Sequence, residues 1–245
     1  MDFAAIDERG EVTPEQFEDI RAAGKPVILR DLVSGWPAVA KAEQGDAPLF
    51  DYLKSFDNGQ PQSTLIGAPE LDGKFNYNSD FSGQNYTHRA ETVSAALDAL
   101  LADSGDASSP ATYIQSILIK DHMPDFRAAH AMPLAPKGTE PRAWIGNKTV
   151  VQTHFDLSEN IACVVAGHRE FTLFPPEQLP NLYIGPLESA PGGTPVSTTN
   201  LDNPDFDAHP GFEAALKTAT RARLNPGDAI YIPAGWFHHV RAISD

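Results

Sequence analysis

The chain has 245 residues, and its 33 acidic against 18 basic side chains give a formal charge of -15 at neutral pH. Hydrophobic residues make up 41% and charged residues 21%, a globular composition that rules out disorder for most of the chain. Because the negative charge repels phosphate backbones and anionic lipids, the composition disfavours general nucleic-acid or membrane binding. The single cysteine, Cys163, excludes a disulfide framework and a cysteine-based zinc site.

The sequence shows no signal for export or membrane insertion. Its first residues contain no basic stretch followed by an apolar one, as a signal peptide would. The longest apolar run, at 161–167, falls far short of the roughly 20 residues that a membrane-spanning helix needs. A lone cysteine also suits a reducing compartment. We therefore expect a cytoplasmic protein with no membrane partner.

The first third of the chain predicts a mixed α/β region. The Thr-Pro-Glu-Gln stretch at Thr13 combines a Thr cap, Pro at the first helical position and Gln three residues after the cap. This helix should stop near Gly24. A short buried strand is then predicted at Val27–Leu29, and further helices are predicted at 47–56 and 91–103.

From residue 112 onward the sequence predicts mainly strands. They are rich in Val, Ile, Tyr, Thr and Phe, are bounded by turn residues, and cover 112–118, 149–156, 160–166, 170–174 and 229–233. A stretch rich in Pro, Gly, Asn and Asp at 189–210 predicts a surface loop near the mouth of a site, and a helix follows at 211–220.

The chain is predicted to form one domain, because it contains no internal repeat and no linker. Residues 1–110 would form an α/β support region, and residues 111–245 would form the core of the domain. The spacing of the strands predicts a mainly β fold with flanking helices, built as a barrel or a sandwich.

A His-x-Asp pattern carries the first indication of chemistry. His154 and Asp156 lie two residues apart in a predicted strand, so their side chains point the same way. A second histidine from a distant strand would complete a 2-His-1-carboxylate triad, which leaves three positions open on Fe(II). His238, just after the strand at 229–233, is the predicted partner. By itself the pattern equally fits a His–Asp pair on a barrel wall, and His238-His239 fits a surface pair.

Three motifs, in this order along the chain, resemble those of a known family. Residues 153–160 (THFDLSEN), 167–176 (GHREFTLFPP) and 225–238 (NPGDAIYIPAGWFH) together resemble the JmjC/cupin-like Fe(II)- and 2-oxoglutarate-dependent oxygenases. The resemblance runs from about 113 to 240, with a weaker echo at 27–39. It implies a double-stranded β-helix, the jelly-roll barrel of the cupin and JmjC proteins.

The resemblance also assigns ligands. His154 and Asp156 match the first two metal ligands, and His238 matches the third because the family's ligand directly follows paired aromatic residues. Arg169 falls where the family places a basic residue that binds the distal carboxylate of 2-oxoglutarate, and a guanidinium can hold a carboxylate bidentately. A surface salt bridge would also explain Arg169, and His168 is the neighbouring choice for the same role.

Four further residues receive roles from the resemblance. Tyr113 matches a tyrosine that donates to the same carboxylate, although core packing would also explain it. Asn160 matches a polar residue beside the cosubstrate, or caps a strand end. Gln115 and Trp236 are assigned to substrate contact. Where some relatives carry a Thr that binds 2-oxoglutarate, this chain has Val151, so that contact is missing or comes from another residue.

The end of the sequence departs from the family's pattern. Relatives normally continue past the third ligand with another barrel strand that supplies an Asn near the metal, and often with dimer-forming helices. This sequence stops at Asp245. Either the C-terminal part of the domain is missing here or the barrel is finished differently, which leaves a homodimer as an open expectation.

The implied activity is a dioxygenase that uses Fe(II), 2-oxoglutarate and O2 to hydroxylate a C–H bond, or to demethylate when that carbon is an N-methyl group. Relatives act on protein side chains, and one acts on a tRNA base. The charge of -15 favours a protein, peptide or small-molecule substrate over nucleic acid, with selectivity expected from 189–210 and 71–88. The alternatives are a non-catalytic metal-binding cupin-like module and a tRNA-modifying oxygenase.

Overall fold

The structure is a computed structural model that describes residues 3–106 and 108–243. The expectations about the first residues of the chain and about its end at Asp245 therefore concern residues outside the described part. Fourteen strands are found within it. They are β1 (Ala4–Ala5), β2 (Asp7–Arg9), β3 (Val27–Leu29), β4 (Gln62–Gly67), β5 (Lys74–Phe75), β6 (Thr87–Glu91), β7 (Ala111–Leu118), β8 (Arg142–Gly146), β9 (Val150–Phe155), β10 (Asn160–Cys163), β11 (Arg169–Phe174), β12 (Thr220–Leu224), β13 (Ala229–Ile232) and β14 (Phe237–Ala242).

The helices lie mainly in the first half of the described chain. They are α1 (Pro14–Ala23), α2 (Pro37–Ala42), α3 (Asp46–Lys54), α4 (Val93–Ala102), α5 (Ile119–His122), α6 (Phe126–Ala129) and α7 (Phe212–Thr218). The predicted capping box of α1 is confirmed, since Thr13 and Gln16 each bond the other's backbone N–H. Gly24 ends α1 in the left-handed conformation, as predicted. None of the helices in the described residues is long and apolar enough to cross a membrane.

The strands form three sheets. Their orders are β1-β12-β11-β14-β9-β5, β10-β13-β3-β2 and β6-β4-β7-β8. The predicted mainly β fold with flanking helices is confirmed. The strand pairings of the described residues do not link the sheets into a closed ring, so the jelly-roll barrel stays a prediction.

The first two sheets pack face to face. Apolar side chains of β11 and β12 meet those of β3 and β13 in one buried cluster, in which Leu173, Leu224 and Ile230 are fully inaccessible. Facing sheets that share an apolar interior have the layered architecture of a sandwich. The third sheet is backed by α3 and α4, whose leucines pack on β7. This arrangement places β11, β14 and β9 next to one another in one sheet, and these three strands are called the wall below.

One close crossing holds the edge of that wall. β5 pairs in parallel with β9 at Lys74–Phe75, and Gly73 begins this contact with φ +71°. A Cβ at Gly73 would lie 1.6 Å from the carbonyl oxygen of Lys148, so the backbones could not approach with any larger residue.

Candidate metal centre

The three predicted ligands come together at one end of β9 and β14. These strands are antiparallel and pair His154 directly with His238, while Asp156 follows the last residue of β9. One ligand atom from each of the three side chains lies within 4.8 Å of the others. His238 Nε2 is 3.7 Å from Asp156 Oδ2, and the two imidazole centroids are 4.3 Å apart. The distances are those of side chains that could share one small ion.

The hydrogen bonds of both histidines leave their Nε2 atoms available. His154 Nδ1 lies 2.8 Å from the carbonyl of Gln152, and His238 Nδ1 lies 3.3 Å from the carbonyl of Trp236. A carbonyl only accepts, so each Nδ1 donates its N–H to the backbone and each Nε2 is left facing the other members of the triad. Burial, and to a lesser degree the neighbouring His154, hold the pKa of His238 well below its ordinary value. A neutral imidazole with a free Nε2 is the form that binds metals.

Asn160 fixes the carboxylate of the triad. Its Nδ2 donates to Asp156 Oδ2 at 2.8 Å. Its Oδ1 is buried and has no hydrogen-bond partner in the described part of the chain. Burying an acceptor without a hydrogen bond costs free energy. We therefore expect a donor beside the triad, such as a water or a substrate N–H, to bond this oxygen.

The C-terminal end of α1 braces both ligand-bearing segments from outside. Arg21 pairs with Glu159, the residue before Asn160, and Tyr231 donates to the same carboxylate at 2.7 Å. The indole Nε1 of Trp236 donates to the Gly24 carbonyl at 3.1 Å. This bond commits the polar atom of Trp236 to α1, so its predicted contact with substrate would use the ring alone.

Arg169 and Tyr113 form a second polar group on the interior of the wall. Arg169 lies on β11 on the same face as Leu173, whose register partner is His238. Burial lowers the pKa of the Arg169 guanidinium and raises the pKa of the Tyr113 phenol above its usual range. Arg169 pairs with no carboxylate among the residues that the structure describes. A partly buried guanidinium without a counter-ion favours an incoming anion.

The neighbours of Arg169 sharpen this assignment. His168 is exposed and lies within hydrogen-bond distance of Asn225, whereas Arg169 is half-buried. Val151 packs against the apolar cluster that contains Tyr113, so it offers an apolar wall where some relatives place a hydroxyl. Gln115 is half-buried at an irregularity in the pairing of β7 with β8, and the structure leaves its predicted substrate role a prediction.

The residues of the site fit Fe(II) and 2-oxoglutarate, the metal and the cosubstrate that the family resemblance implies. Two imidazoles and one carboxylate form the 2-His-1-carboxylate set that suits Fe(II) and leaves positions open. Arg169 and the protonated Tyr113 could both donate to a distal carboxylate of 2-oxoglutarate. The ligand types of the triad therefore suit the metal, and the unpaired guanidinium of Arg169 suits the cosubstrate.

Sequence reasoning missed a second polar region on the opposite face of the wall. A β-bulge places two residues of β9, Gln152 and Thr153, opposite the single residue His239 of β14. As a result Gln152 and His239 line a cleft behind the sheet, away from the His238 side chain. Segments 71–88 and 189–210, where we expected substrate selectivity, both contribute residues to this rear cleft. No periodicity in the sequence marks the bulge.

Fold and site together define a class, the JmjC-type proteins with a candidate His-Asp-His metal centre on a β-sheet scaffold. A family model described as "Cupin-like domain" matches residues 13–245. The chain belongs to this cupin-like family, and the resemblance drawn from the three motifs is confirmed.

Curated relatives carry related names. The chain is 40% identical over 88 residues to "Lysine-specific demethylase JMJ31" of Arabidopsis thaliana, which is 36% of this chain and 16% of that protein. It is 35% identical over 88 residues to human "tRNA wybutosine-synthesizing protein 5", covering 36% of this chain and 25% of the relative. It is 23% identical over 238 residues to "JmjC domain-containing protein D" of Dictyostelium discoideum, 90% of this chain and 50% of the relative. The chain thus spans half or less of these relatives.

Proposed function

We propose that this chain is an Fe(II)- and 2-oxoglutarate-dependent dioxygenase that hydroxylates a side chain of a protein or peptide. One observation carries the proposal: His154, Asp156 and His238 converge with both Nε2 atoms uncommitted. The packing of two sheets around one apolar interior supports the jelly-roll architecture that such enzymes require.

The iron and 2-oxoglutarate, once bound, supply the oxidative chemistry that activates O2. The protein's own residues bind and orient. His154, Asp156 and His238 would hold the ion, and Asn160 orients the Asp156 carboxylate by donating to its Oδ2. Arg169 would donate to the distal carboxylate and hold the cosubstrate by a charge-assisted contact.

Substrate selection would take place at the open side of the triad. Leu157 directly follows Asp156 and is 87% exposed, so an apolar side chain stands at the mouth of the site without intramolecular cover. An acidic surface attracts a basic protein or peptide more readily than RNA. Hydroxylation of an N-methyl carbon would lead to demethylation, the reaction in the name of one relative.

The proposal is tested by anaerobic titration of the purified chain with Fe(II) and then 2-oxoglutarate, followed by visible absorbance. A charge-transfer band that requires both additions is expected, together with conversion of 2-oxoglutarate to succinate in air. His154→Ala and Asp156→Ala should abolish iron binding, the band and turnover. His122→Ala is the matched control, because His122 is part of α5 on the third sheet's side and contacts the Gln60 carbonyl.

Two outcomes would overturn the proposal. Bound iron without a band or succinate would favour a non-catalytic metal module. Unchanged iron binding in both triad variants would place the metal elsewhere. A turnover that tRNA stimulates and basic peptides do not would keep the oxygenase chemistry and replace the substrate class.

A further inference from the structure

The rear cleft is a second concave site, separate from the triad. It has a volume of about 420 Å³, within the range of small-molecule sites, and opens between β5, β9 and the loop at 198–202. Its wall is mainly polar. The side chains that matter for recognition are Lys74, Tyr77, Gln152, Asn200, Asp202 and His239.

His239 is the first sign that the cleft holds something. It is 4% exposed, lines the cleft, and neither ring nitrogen has a hydrogen-bond partner within residues 3–106 and 108–243. A buried imidazole needs a partner for its N–H donor and another for its lone-pair acceptor. The metal-binding role does not use it, because its side chain points away from His238 along β14.

The charges around the cleft cancel one another. Lys74 and Arg241 both pair with Asp202, at 3.4 and 2.5 Å. Of the residues that line the cleft, Glu70, Lys74 and Asp202 are charged, and Arg241, which pairs with Asp202 from outside the lining, brings the sum of these four groups to zero. Charged groups that are balanced in this way give little advantage to an ion over a neutral molecule.

The uncommitted groups can both donate and accept. The Gln152 amide and the His239 ring offer hydrogen-bonding groups to the cleft, whereas the side-chain oxygen of Asn200 already accepts from the Asp202 and Asn203 N–H groups and only its amide nitrogen is left to donate. Tyr77 adds a rigid ring, since its hydroxyl bonds Pro186 and Val196 and its ring packs on Gly185. Hydroxyl groups also donate and accept at once, and the C–H faces of a polyol ring pack on aromatic side chains.

We infer that the rear cleft binds a small neutral polyhydroxy compound of monosaccharide size through His239 and Gln152. This inference goes beyond the proposed oxygenase function and does not depend on it. The bound molecule would contact β14 at the residue next to His238, which gives the cleft a direct structural connection to the candidate metal centre.

Saturation-transfer NMR on the full chain tests the inference, with D-glucose, myo-inositol and D-mannitol as probes. Saturation of at least one probe is expected. The dissociation constant should rise at least about tenfold in Gln152→Leu and in His239→Phe, which keeps a ring at that position. Gln62→Leu is the matched control, because Gln62 is as deeply buried as Gln152 but lies outside the cleft. Melting curves would confirm that each variant folds.

The outcomes separate the two proposals. Arg169→Met should weaken 2-oxoglutarate binding and leave polyol binding intact, whereas His239→Phe should weaken polyol binding and leave 2-oxoglutarate binding intact. No saturation of any probe would refute polyol binding by the cleft, and equal binding by Gln152→Leu and wild type would place the probe elsewhere. Stronger saturation of gluconate or glucosamine than of glucose would overturn the neutral ligand class.

Discussion

Replacing Arg169 with Met is expected to weaken 2-oxoglutarate binding while stabilising the ligand-free fold. In the native state burial lowers the pKa of the guanidinium, which means that folding disfavours its charged form. Met keeps the length of the side chain and removes the charge. A gain of about 1 kcal/mol in the free energy of unfolding is expected, since Arg169 is only half-buried. For a chain of this length this raises Tm by about 2–4 °C.

The same change removes the donor that we assign to the distal carboxylate. Truncating one partner of a buried, hydrogen-bonded charge pair costs about 2–4 kcal/mol of binding energy, so Kd should rise roughly 30- to 700-fold. Calorimetry under anaerobic conditions with Mn(II) in place of Fe(II) measures that Kd, and a thermal melt without ligand measures the stability. Arg127→Met, at an exposed arginine of α6, is the control and should change neither quantity.

A higher Tm together with a higher Kd in Arg169→Met would show that Arg169 weakens the ligand-free fold but strengthens the binding of 2-oxoglutarate. If Arg169→Met lowers Tm and leaves Kd unchanged, the guanidinium is satisfied by the protein itself and the assignment is refuted.

Three further predictions concern stability and reactivity. Burial lowers the pKa of His130, so the imidazole of the unfolded chain takes up a proton before that of the folded chain as pH falls below about 6.5. Urea unfolding should therefore show a free energy of unfolding that decreases from pH 7 to 5. In His130→Gln the free energy of unfolding should depend less on pH. Burial raises the pKa of the Cys163 thiol to about 12, so a disulfide reagent at pH 8 should react only as fast as the chain unfolds; rapid labelling of native protein would contradict this. Gly73→Ala should cost more than about 2 kcal/mol through its clash with Lys148, whereas Gly59→Ala, with φ +76° and open space, should cost only the backbone strain.

Local signals in the sequence predicted the elements that depend on local chemistry. The cap and stop residues placed α1 to the residue, and β-rich runs placed β7, β9, β11 and β13 within a residue or two. The strand predicted at 160–166 ends three residues earlier, at Cys163. The chain bends at 166–167, where Gly167 has φ +63°. β14 was not predicted, since Trp-Phe-His-His shows no alternation between polar and apolar residues.

Some parts of the candidate site could be predicted from the sequence, and others could not. The spacing of His154 and Asp156 is local and could be read directly, and the family resemblance supplied His238. The outer brace could not be predicted, because Arg21 reaches Glu159 from 138 residues away. The rear cleft depends on a bulge and on paired charges, neither of which leaves a periodic mark.

The register of the strands has a consequence for synthesis of the protein. β3 pairs with β2 along one edge, but its other edge finds its partner only when Ala229–Ile232 leave the ribosome, since Leu29 pairs with Ala229. At ordinary rates of translation that edge of the Val-Ile-Leu strand therefore waits about 10–40 s for its partner. β14, which carries His238, emerges later still. The three candidate ligands come together only after β14 has docked, so chaperones that shield apolar nascent segments should improve the yield of protein with an assembled triad.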